Sequence, residues 1–258
     1  MDRWVETIKL SVRRCDVCGH HWYEEQPESD QLAAMYEAHR PVFPEAATRD
    51  PSPAMITQMR RLLRLVERLR PCRGATPRLL DYGSGYGRWA RAAQSVGFDV
   101  VAFEPSLNRG AEKAESAVAF DVVHELNALR ERRFDAVNLE QVLEHIPTPC
   151  ETLSGLLELA APGAVLRIAT PNVLRCPEGD RLYATWPYDG KRAHTLAPFE
   201  HVNGFTPRSL QAVVNRAGWT RVSDKAAIFS NPTHALRRLA GLAVPSLGQT
   251  MIYAVPRR

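Results

Sequence analysis

The sequence has no apolar run long enough to cross a bilayer, which excludes a helical membrane span on composition alone. Its first residues, 1–6, are charged and carry no apolar core of the kind that a secretory signal requires. From these two absences we expect a soluble, cytoplasmic protein that has no membrane partner.

Cysteine is scarce, with five in 258 residues, and the odd number argues against a disulfide framework. The net charge is small as well, at +4, which is too little to imply a nucleic-acid partner. A predicted helix at residues 54–70 carries five arginines but lacks the interleaved aromatic residues of a single-strand binder. We expect these arginines to form a solvated face, and nucleic acid is not an expected partner.

What the sequence does contain suits one α/β domain and a small appendage, with an ordinary hydrophobic content of 45%. Prolines at positions 41, 44, 51 and 53 punctuate an extended stretch, which is typical of a domain boundary. We therefore predict a knuckle, hairpin and linker at residues 1–50 and a cofactor-binding domain at residues 51–258. Within that domain, residues 172–204 are predicted to form a lid segment.

The predicted main domain is organised around a glycine-rich turn at residues 79–87, between a short apolar strand and a helix. Asp81 is followed by Gly83, Gly85 and Gly87 at every second position. Glycine allows positive φ, and the start of the following helix offers N–H groups to an anionic ligand. The spacing differs from the dinucleotide fingerprint and no P-loop lysine follows, which disfavours a nicotinamide-dependent oxidoreductase.

After this turn the pattern alternates between strand and helix, which predicts a doubly wound α/β fold with a mostly parallel sheet. The second strand ends at Glu104, whose carboxylate can accept hydrogen bonds from both hydroxyls of a ribose. Ligands of such sheets bind beyond the carboxyl ends of the strands. The expected strands are residues 78–81, 99–103, 117–123, 136–139, 165–169, 219–222 and 251–255, and further helices are expected at 88–96, 107–116, 206–217 and 235–242.

Residues 134–147 carry the run Phe-Asp-Ala-Val-Asn-Leu-Glu-Gln-Val-Leu-Glu-His-Ile-Pro, and the fifth strand ends in Thr-Pro-Asn at residues 170–172. Together with the glycine turn, these motifs resemble the class I S-adenosylmethionine-dependent methyltransferases. They are most similar to the branch with a Leu-Glu-His element and an N-terminal Cys-x-x-Cys knuckle. The resemblance covers residues 79–218 and implies a Rossmann-like fold with a seven-stranded sheet and S-adenosylmethionine as the cofactor.

The same resemblance implies roles for residues at the ligand edge. The three glycines would pass close to the methionine part of the cofactor, and Glu104 would hold the ribose. Either Asp121 or Glu125 could contact the adenine, and we favour Glu125. The predicted cofactor-binding residues are Asp81, Gly83, Gly85, Gly87, Glu104, Glu125, Glu140 and Gln141.

The resemblance implies a methyltransferase that acts on a small molecule, and O-methylation in a biosynthetic pathway is the favoured chemistry. N- or C-methylation stays open, as does a non-catalytic partner protein that only binds the cofactor. An oxygen or nitrogen nucleophile can need a base of near-neutral pKa, and histidine is the usual choice. The candidates are His194 and His201, in the aromatic-rich segment 172–204, and His145.

Cys15 and Cys18 lie in a Cys-x-x-Cys-Gly pattern, which is typical of a zinc knuckle. A closed site needs two further ligands, for which His20 or His21 and then His39 or Cys72 are the available residues. Zinc at this knuckle is therefore one hypothesis, and a hairpin with free thiols is the alternative. Whether the chain forms a homodimer stays open.

A second metal hypothesis concerns the Leu-Glu-His element. In one quinone-directed relative, a Glu-x-x-Glu-His pattern holds a divalent metal. In this sequence Glu140 precedes Glu144 and His145 by one residue too many for that register, which disfavours a metal there.

Overall fold

Helices and strands alternate from residue 53 onward in the computed structural model, which describes residues 11–28, 31, 50–71, 74–107, 120–175, 195–197, 200–222 and 249–257. The helices are α1 (Pro53–Leu69), α2 (Arg88–Ser95), α3 (Pro149–Glu158) and α4 (Pro207–Arg216). The strands are β1 (Val12–Arg14), β2 (His21–Tyr23), β3 (Arg78–Tyr82), β4 (Asp99–Phe103), β5 (Asp121–Val123), β6 (Phe134–Glu140), β7 (Ala160–Pro171), β8 (Asn203–Gly204), β9 (Trp219–Arg221) and β10 (Gln249–Pro256).

Seven of these strands form one sheet in the order β5-β4-β3-β6-β7-β10-β9. The first five are parallel to one another, while β10 runs antiparallel to both β7 and β9. The predicted doubly wound, mostly parallel seven-stranded fold is confirmed. The strand order reverses between β3 and β6, and a ligand crevice is expected at such a reversal.

Both faces of the sheet are buried, because successive side chains of a strand point to opposite sides. In β3, Leu79 packs into the cluster beneath α1 and α2, whereas Leu80 packs into the cluster beneath α3 and α4. Trp219 is fully buried in the second cluster and its indole N–H donates to the carbonyl of Leu153 at 2.8 Å. The sheet is thus sandwiched between two helical layers.

The helix α1 follows its predicted pattern closely. Ser52 caps its first turn by accepting from the N–H of Met55, and Pro53 occupies the first helical position. An apolar stripe that includes Met59 and Val66 is buried, and the arginines at positions 60, 64 and 68 lie on the exposed face. No helix within the described ranges is long and apolar enough to cross a bilayer.

A small second sheet joins the N-terminal region to the residues that precede α4. Its order is β1-β2-β8, with antiparallel pairing throughout. Polar and apolar residues alternate over residues 7–12, which predicts a strand there. The described strand is Val12–Arg14, and residues 7–10 lie outside the described part. The domain boundary near residue 50 stays a prediction.

The strand β7 is longer than the expected 165–169, because it begins at Ala160, before the Pro162-Gly163 pair, and ends at Pro171. The pairing of β6 with β7 shifts register between Phe134 and Ala136 to accommodate this start. Gly163 adopts φ +79°, and a Cβ atom there would lie 2.4 Å from the carbonyl oxygen of Leu69. The expected helices at 107–116 and 235–242 lie outside the described residues, apart from Leu107.

We predict that Gly163→Ala destabilises the protein by about 1–3 kcal/mol, because a side chain there meets both positive φ and a backbone oxygen. The matched control is Gly155→Ala inside α3, where a Cβ meets nothing within 4 Å. That change should stabilise by about 0.5–1 kcal/mol through helix propensity. Urea unfolding of both variants measures the two effects, and equal stabilities would contradict the prediction.

Candidate functional site

The carboxyl ends of the parallel strands bring most of the predicted cofactor residues to one edge of the sheet. The turn after β3 contains Gly83 at φ +71° and Gly85 at φ +51°, conformations that favour glycine. A Cβ at Gly83 would clash with Val142 at 2.6 Å, whereas a Cβ at Gly85 would meet nothing within 4 Å. The turn therefore packs tightly on one side and faces open space on the other.

Glu104, directly after β4, is only 4% exposed and is fixed by four hydrogen bonds. Its backbone N–H donates to the carbonyl of Val123 at 3.0 Å, and its own carbonyl accepts from His124 Nδ1 at 2.7 Å. Its carboxylate accepts from the N–H of Gly85 at 2.8 Å and from the N–H of Ser106 at 3.2 Å. The predicted ribose acid is thus held rigidly against the glycine turn.

A buried polar network lies beneath the same edge. Arg167, in the middle of β7, is fully buried and donates to Asn138 Oδ1 at 2.6 Å. Asn138 Nδ2 in turn donates to Asp81 Oδ1 at 2.7 Å, which places Asp81 at one end of the network. Arg167 also donates to Gln58 on α1 and lies over the ring of Trp89, 4.4 Å from its centroid. Sequence reasoning missed Arg167, although an arginine inside an apolar strand was a readable signal.

The last residues of β6 carry two further predicted cofactor residues. Glu140 forms an ion pair with Arg167 at 2.7 Å and accepts from Gln249 Nε2 at 3.0 Å, so its carboxylate is already paired within the protein. Gln141 is the only described non-glycine residue with positive φ, at 55°, and its N–H donates to the carbonyl of Ala169 at 2.9 Å. Such a backbone outlier at a ligand edge is typical of a functional turn.

The two residues predicted as alternatives for the adenine contact, Asp121 and Glu125, lie at opposite ends of β5. Asp121 begins the strand, far from its ligand end, and pairs with Arg132 at 2.9 Å on the surface. Glu125 follows the strand and is exposed. The half-buried His124 lies between the strand and Glu125, and it was not among the predicted residues.

On the other side of the crevice, the structure brings together two histidines that are far apart in sequence. The rings of His145 and His201 meet edge to face with centroids 4.6 Å apart. One ligand atom each from Glu144, His145 and His201 lies within 4.8 Å of the others, a spacing that could hold a metal ion. This cluster differs from the set Glu140, Glu144 and His145 that the sequence analysis considered, because His201 takes the place of Glu140. The third candidate base, His194, lies outside the described residues.

Glu144 is 1% exposed, and neither of its carboxylate oxygens has a hydrogen-bond partner within the described ranges. Burial raises its pKa to about 8, and the nearby carboxylates of Glu140 and Glu200 act in the same direction. The group is therefore mostly protonated at neutral pH, which avoids an unpaired buried charge.

The second sheet holds His201 in place. The ring Nε2 of His20 donates to Asn203 Oδ1 at 3.0 Å, while Asn203 Nδ2 donates to the carbonyl of Ile146 at 2.7 Å. His145 Nδ1 donates to the carbonyl of Glu200 at 2.8 Å. These bonds connect the N-terminal hairpin with both histidine-bearing segments. Burial lowers the pKa of His20, which favours its neutral form.

The knuckle places Cys15 and Cys18 side by side on a tight turn. A hydrogen bond from the backbone N–H of Cys18, followed by one from Val17, lowers the pKa of the Cys15 thiol. In the part of the chain that the structure describes, no third ligand closes on this pair. His20 is bonded to Asn203, and His39 and Cys72 lie outside the described residues. Zinc at the knuckle stays a prediction.

Comparison with protein families matches residues 54–224, more than half of the chain, to a family described as a methyltransferase domain. The chain is also similar to proteins named ubiquinone biosynthesis O-methyltransferase. For the protein of Xanthomonas campestris pv. campestris, identity is 34% over 103 residues, which cover 37% of this chain and 43% of the relative. For that of Psychrobacter arcticus, identity is 27% over 168 residues, which cover 61% and 64%.

Solved structures show the same fold at low identity. The plantazolicin methyltransferase BpumL, solved with S-adenosylhomocysteine, has a TM-score of 0.57 at 11% identity, covering 88% of this chain and 94% of that one. A Burkholderia thailandensis 1,6-didemethyltoxoflavin-N1-methyltransferase has a TM-score of 0.54 at 16% identity, covering 96% and 100%. The cyclase SpnF has a TM-score of 0.54 at 19% identity, covering 90% and 98%, so the likeness by itself shows only the fold.

The buried carboxyl of Glu144 gives a pH-dependent prediction. Between the ordinary value of 4.5 and about 8, the folded chain binds a proton at Glu144 that the unfolded chain has released. The free energy of unfolding should therefore fall as pH rises through this window, by up to about 1.4 kcal/mol per unit. In Glu144→Gln the fall in the free energy of unfolding with rising pH should disappear, whereas the exposed control Glu158→Gln should show the same fall as the wild type. Urea unfolding at pH 5 and pH 8 tests this, and parallel profiles for wild type and Glu144→Gln would contradict it.

Proposed function

Because this chain belongs to the methyltransferase domain family, we propose that it transfers the methyl group of S-adenosylmethionine to a small-molecule acceptor. The observation that carries the proposal is the pair formed by the glycine turn and Glu104. The turn faces open space at Gly85, and the buried carboxylate stands against it at 2.8 Å. A diol-binding acid beside an uncrowded backbone turn fits a nucleoside ligand at a strand reversal.

The residues present fit this cofactor. Glu104 would accept hydrogen bonds from the ribose hydroxyls, and Gly83, Gly85 and Gly87 would line the methionine part. Asp81 and Gln141 stand at the ends of the adjacent strands, and the adenine is expected beyond β5, next to Glu125. Glu140 acts from behind this edge, since Arg167 and Gln249 already bind its carboxylate. When bound, the cofactor supplies an activated methyl group on a sulfonium leaving group.

The protein's own contribution is then alignment, exclusion of water and, for a hydroxyl acceptor, removal of a proton. Alignment of the two reacting groups supplies about 7–11 kcal/mol of barrier reduction in favourable cases. We propose that His201 or His145 takes the proton from the acceptor. The two rings meet edge to face after the end of β6, and the hydrogen bond from His145 Nδ1 to the carbonyl of Glu200 fixes the orientation of that ring.

O-methylation within a biosynthetic pathway is the chemistry that we favour. It is supported by the names of the relatives from Xanthomonas campestris and Psychrobacter arcticus, although the chain spans only 43% and 64% of their lengths. N-methylation is the second candidate, because a structural neighbour is named as an N1-methyltransferase. We also propose that residues 172–204 close over the acceptor and that the chain belongs to the branch with the Leu-Glu-His element. A homodimer and a cytoplasmic location are part of the same proposal.

The first functional prediction concerns cofactor choice. Calorimetry should show that the wild type binds S-adenosylhomocysteine and does not bind NAD. Glu104→Ala should weaken this binding at least tenfold, because hydrogen bonds to a charged group are worth about 1.5–3 kcal/mol. The exposed control Glu131→Ala should bind like the wild type. An unchanged dissociation constant in Glu104→Ala would overturn the ribose assignment.

The second functional prediction concerns the base. With an acceptor identified by incubating the protein with labelled S-adenosylmethionine and a metabolite extract, His201→Ala or His145→Ala should lower turnover by about 10²–10⁴. The variant that removes the base should also lose the pH-rate limb near the histidine pKa. Affinity for S-adenosylhomocysteine should barely change, because the ribose and methionine contacts are proposed for Glu104 and the glycine turn and not for these histidines. Full turnover in both variants would show that neither histidine is the base.

A further inference from the structure

A buried carboxyl group and two histidine rings converge after the end of β6. The ligand atoms that Glu144, His145 and His201 offer lie within 4.8 Å of one another, although His201 is far from the other two in the sequence. Glu144 is 1% exposed and His201 is 7% exposed. The cluster therefore differs from exposed acidic clusters, which are common without any bound ion.

The carboxyl group of Glu144 lacks a partner of its own. Within the described residues neither of its oxygens makes a hydrogen bond, and burial of a polar group in that state is costly. The carboxylates of Glu140 and Glu200 lie near enough to raise its pKa further, so their field at Glu144 is negative. A cation bound to a Glu144 oxygen would supply the missing partner and would be attracted by the same field.

The hydrogen bonds around the two histidines suit ligands of a metal ion. His145 Nδ1 donates to the carbonyl of Glu200 at 2.8 Å, so in the neutral ring the lone pair is on Nε2. A metal-bound histidine commonly donates its other N–H to a carbonyl in this way, which fixes the orientation of the ring. Asn203 Nδ2 donates to the carbonyl of Ile146 at 2.7 Å and so holds the His201 segment beside that of His145.

We propose that Glu144, His145 and His201 bind a divalent transition-metal ion of the Zn²⁺ class. Two imidazole nitrogens and one carboxylate oxygen favour Zn²⁺ over Mg²⁺, which prefers oxygen ligands. The ligand atoms of a tetrahedral zinc site are about 3.4 Å apart, so the three side chains need to approach one another by at most about 1.4 Å. The fourth position of such a site is left to water or another small ligand.

This inference goes beyond the proposed function, because the protein brings the three ligands together without any cofactor. The sequence register disfavours a metal at Glu140, Glu144 and His145, and the structure supplies His201 as a different third ligand. A histidine nitrogen that binds the ion cannot also take a proton from an acceptor. The metal-free protein is therefore the form in which His145 or His201 can serve as the base.

The test is a calorimetric titration of Zn²⁺ into the chelator-treated whole chain carrying Cys15→Ser and Cys18→Ser, so that the knuckle thiols cannot bind the ion. This background protein should bind Zn²⁺, and excess Mg²⁺ should not displace it. Added to the background, Glu144→Gln and His201→Ala should each weaken binding at least about tenfold, because each removes a ligand. His124→Ala is the matched control, since it removes a half-buried histidine outside the cluster, and it should bind like the background.

Thermal unfolding guards the test against loss of the fold, because an ion that binds only the folded chain raises the Tm. Zn²⁺ should raise the Tm of the background protein and of His124→Ala, and should leave those of Glu144→Gln and His201→Ala nearly unchanged. Absence of Zn²⁺ binding, undiminished affinity in Glu144→Gln and His201→Ala, or displacement by Mg²⁺ overturns the inference. Binding of S-adenosylhomocysteine to the same proteins is measured separately, so this inference and the proposed cofactor can each fail alone.

Discussion

The ligand edge of this protein depends on one buried guanidinium. Arg167 is fully enclosed, and a buried cation is tolerated only when it is paired and hydrogen-bonded. Its partners come from different elements: Glu140 at the end of β6, Asn138 within β6 and Gln58 on α1. Asn138 extends the network to Asp81, which begins the glycine turn. One charge in β7 therefore fixes three neighbouring strands against one another at the point where the ligand is expected.

The opposite side of the crevice is fixed by pairing over long sequence distances. The hairpin β1-β2 adds two strands to β8, and Asn203 bonds both to His20 in the hairpin and to the Ile146 carbonyl. These hydrogen bonds hold the segment that carries His201 in contact with the segment that carries His145. An N-terminal region that the sequence separates from the main domain thus helps to order the candidate acceptor side.

The local patterns of the sequence predicted the elements well, and the distant contacts escaped them. The strand Asp99–Phe103 and the helices near residues 53–69 and 88–95 follow from apolar periodicity and from capping residues, which act within one or two turns. The early start of β7 could not be foreseen, since Pro-Gly signals a turn unless pairing with β6 overrides it. The meeting of His145 with His201 depends on the second sheet, for which no short-range signal exists.

The site also explains why two of its carboxyl groups do not act as free anions. Arg167 forms an ion pair with Glu140. Burial raises the pKa of Glu144 to about 8, so that Glu144 is mostly uncharged at neutral pH. A methyl transfer of the proposed kind consumes the positive charge of its donor, and a free carboxylate beside the reacting atoms would stabilise the ground state more than the transition state. Only interactions that strengthen in the transition state accelerate the reaction. With Glu140 paired and Glu144 protonated, Glu104 is left as the carboxylate of the proposed ribose site, and the candidate acceptor side carries no unpaired anion from these two groups.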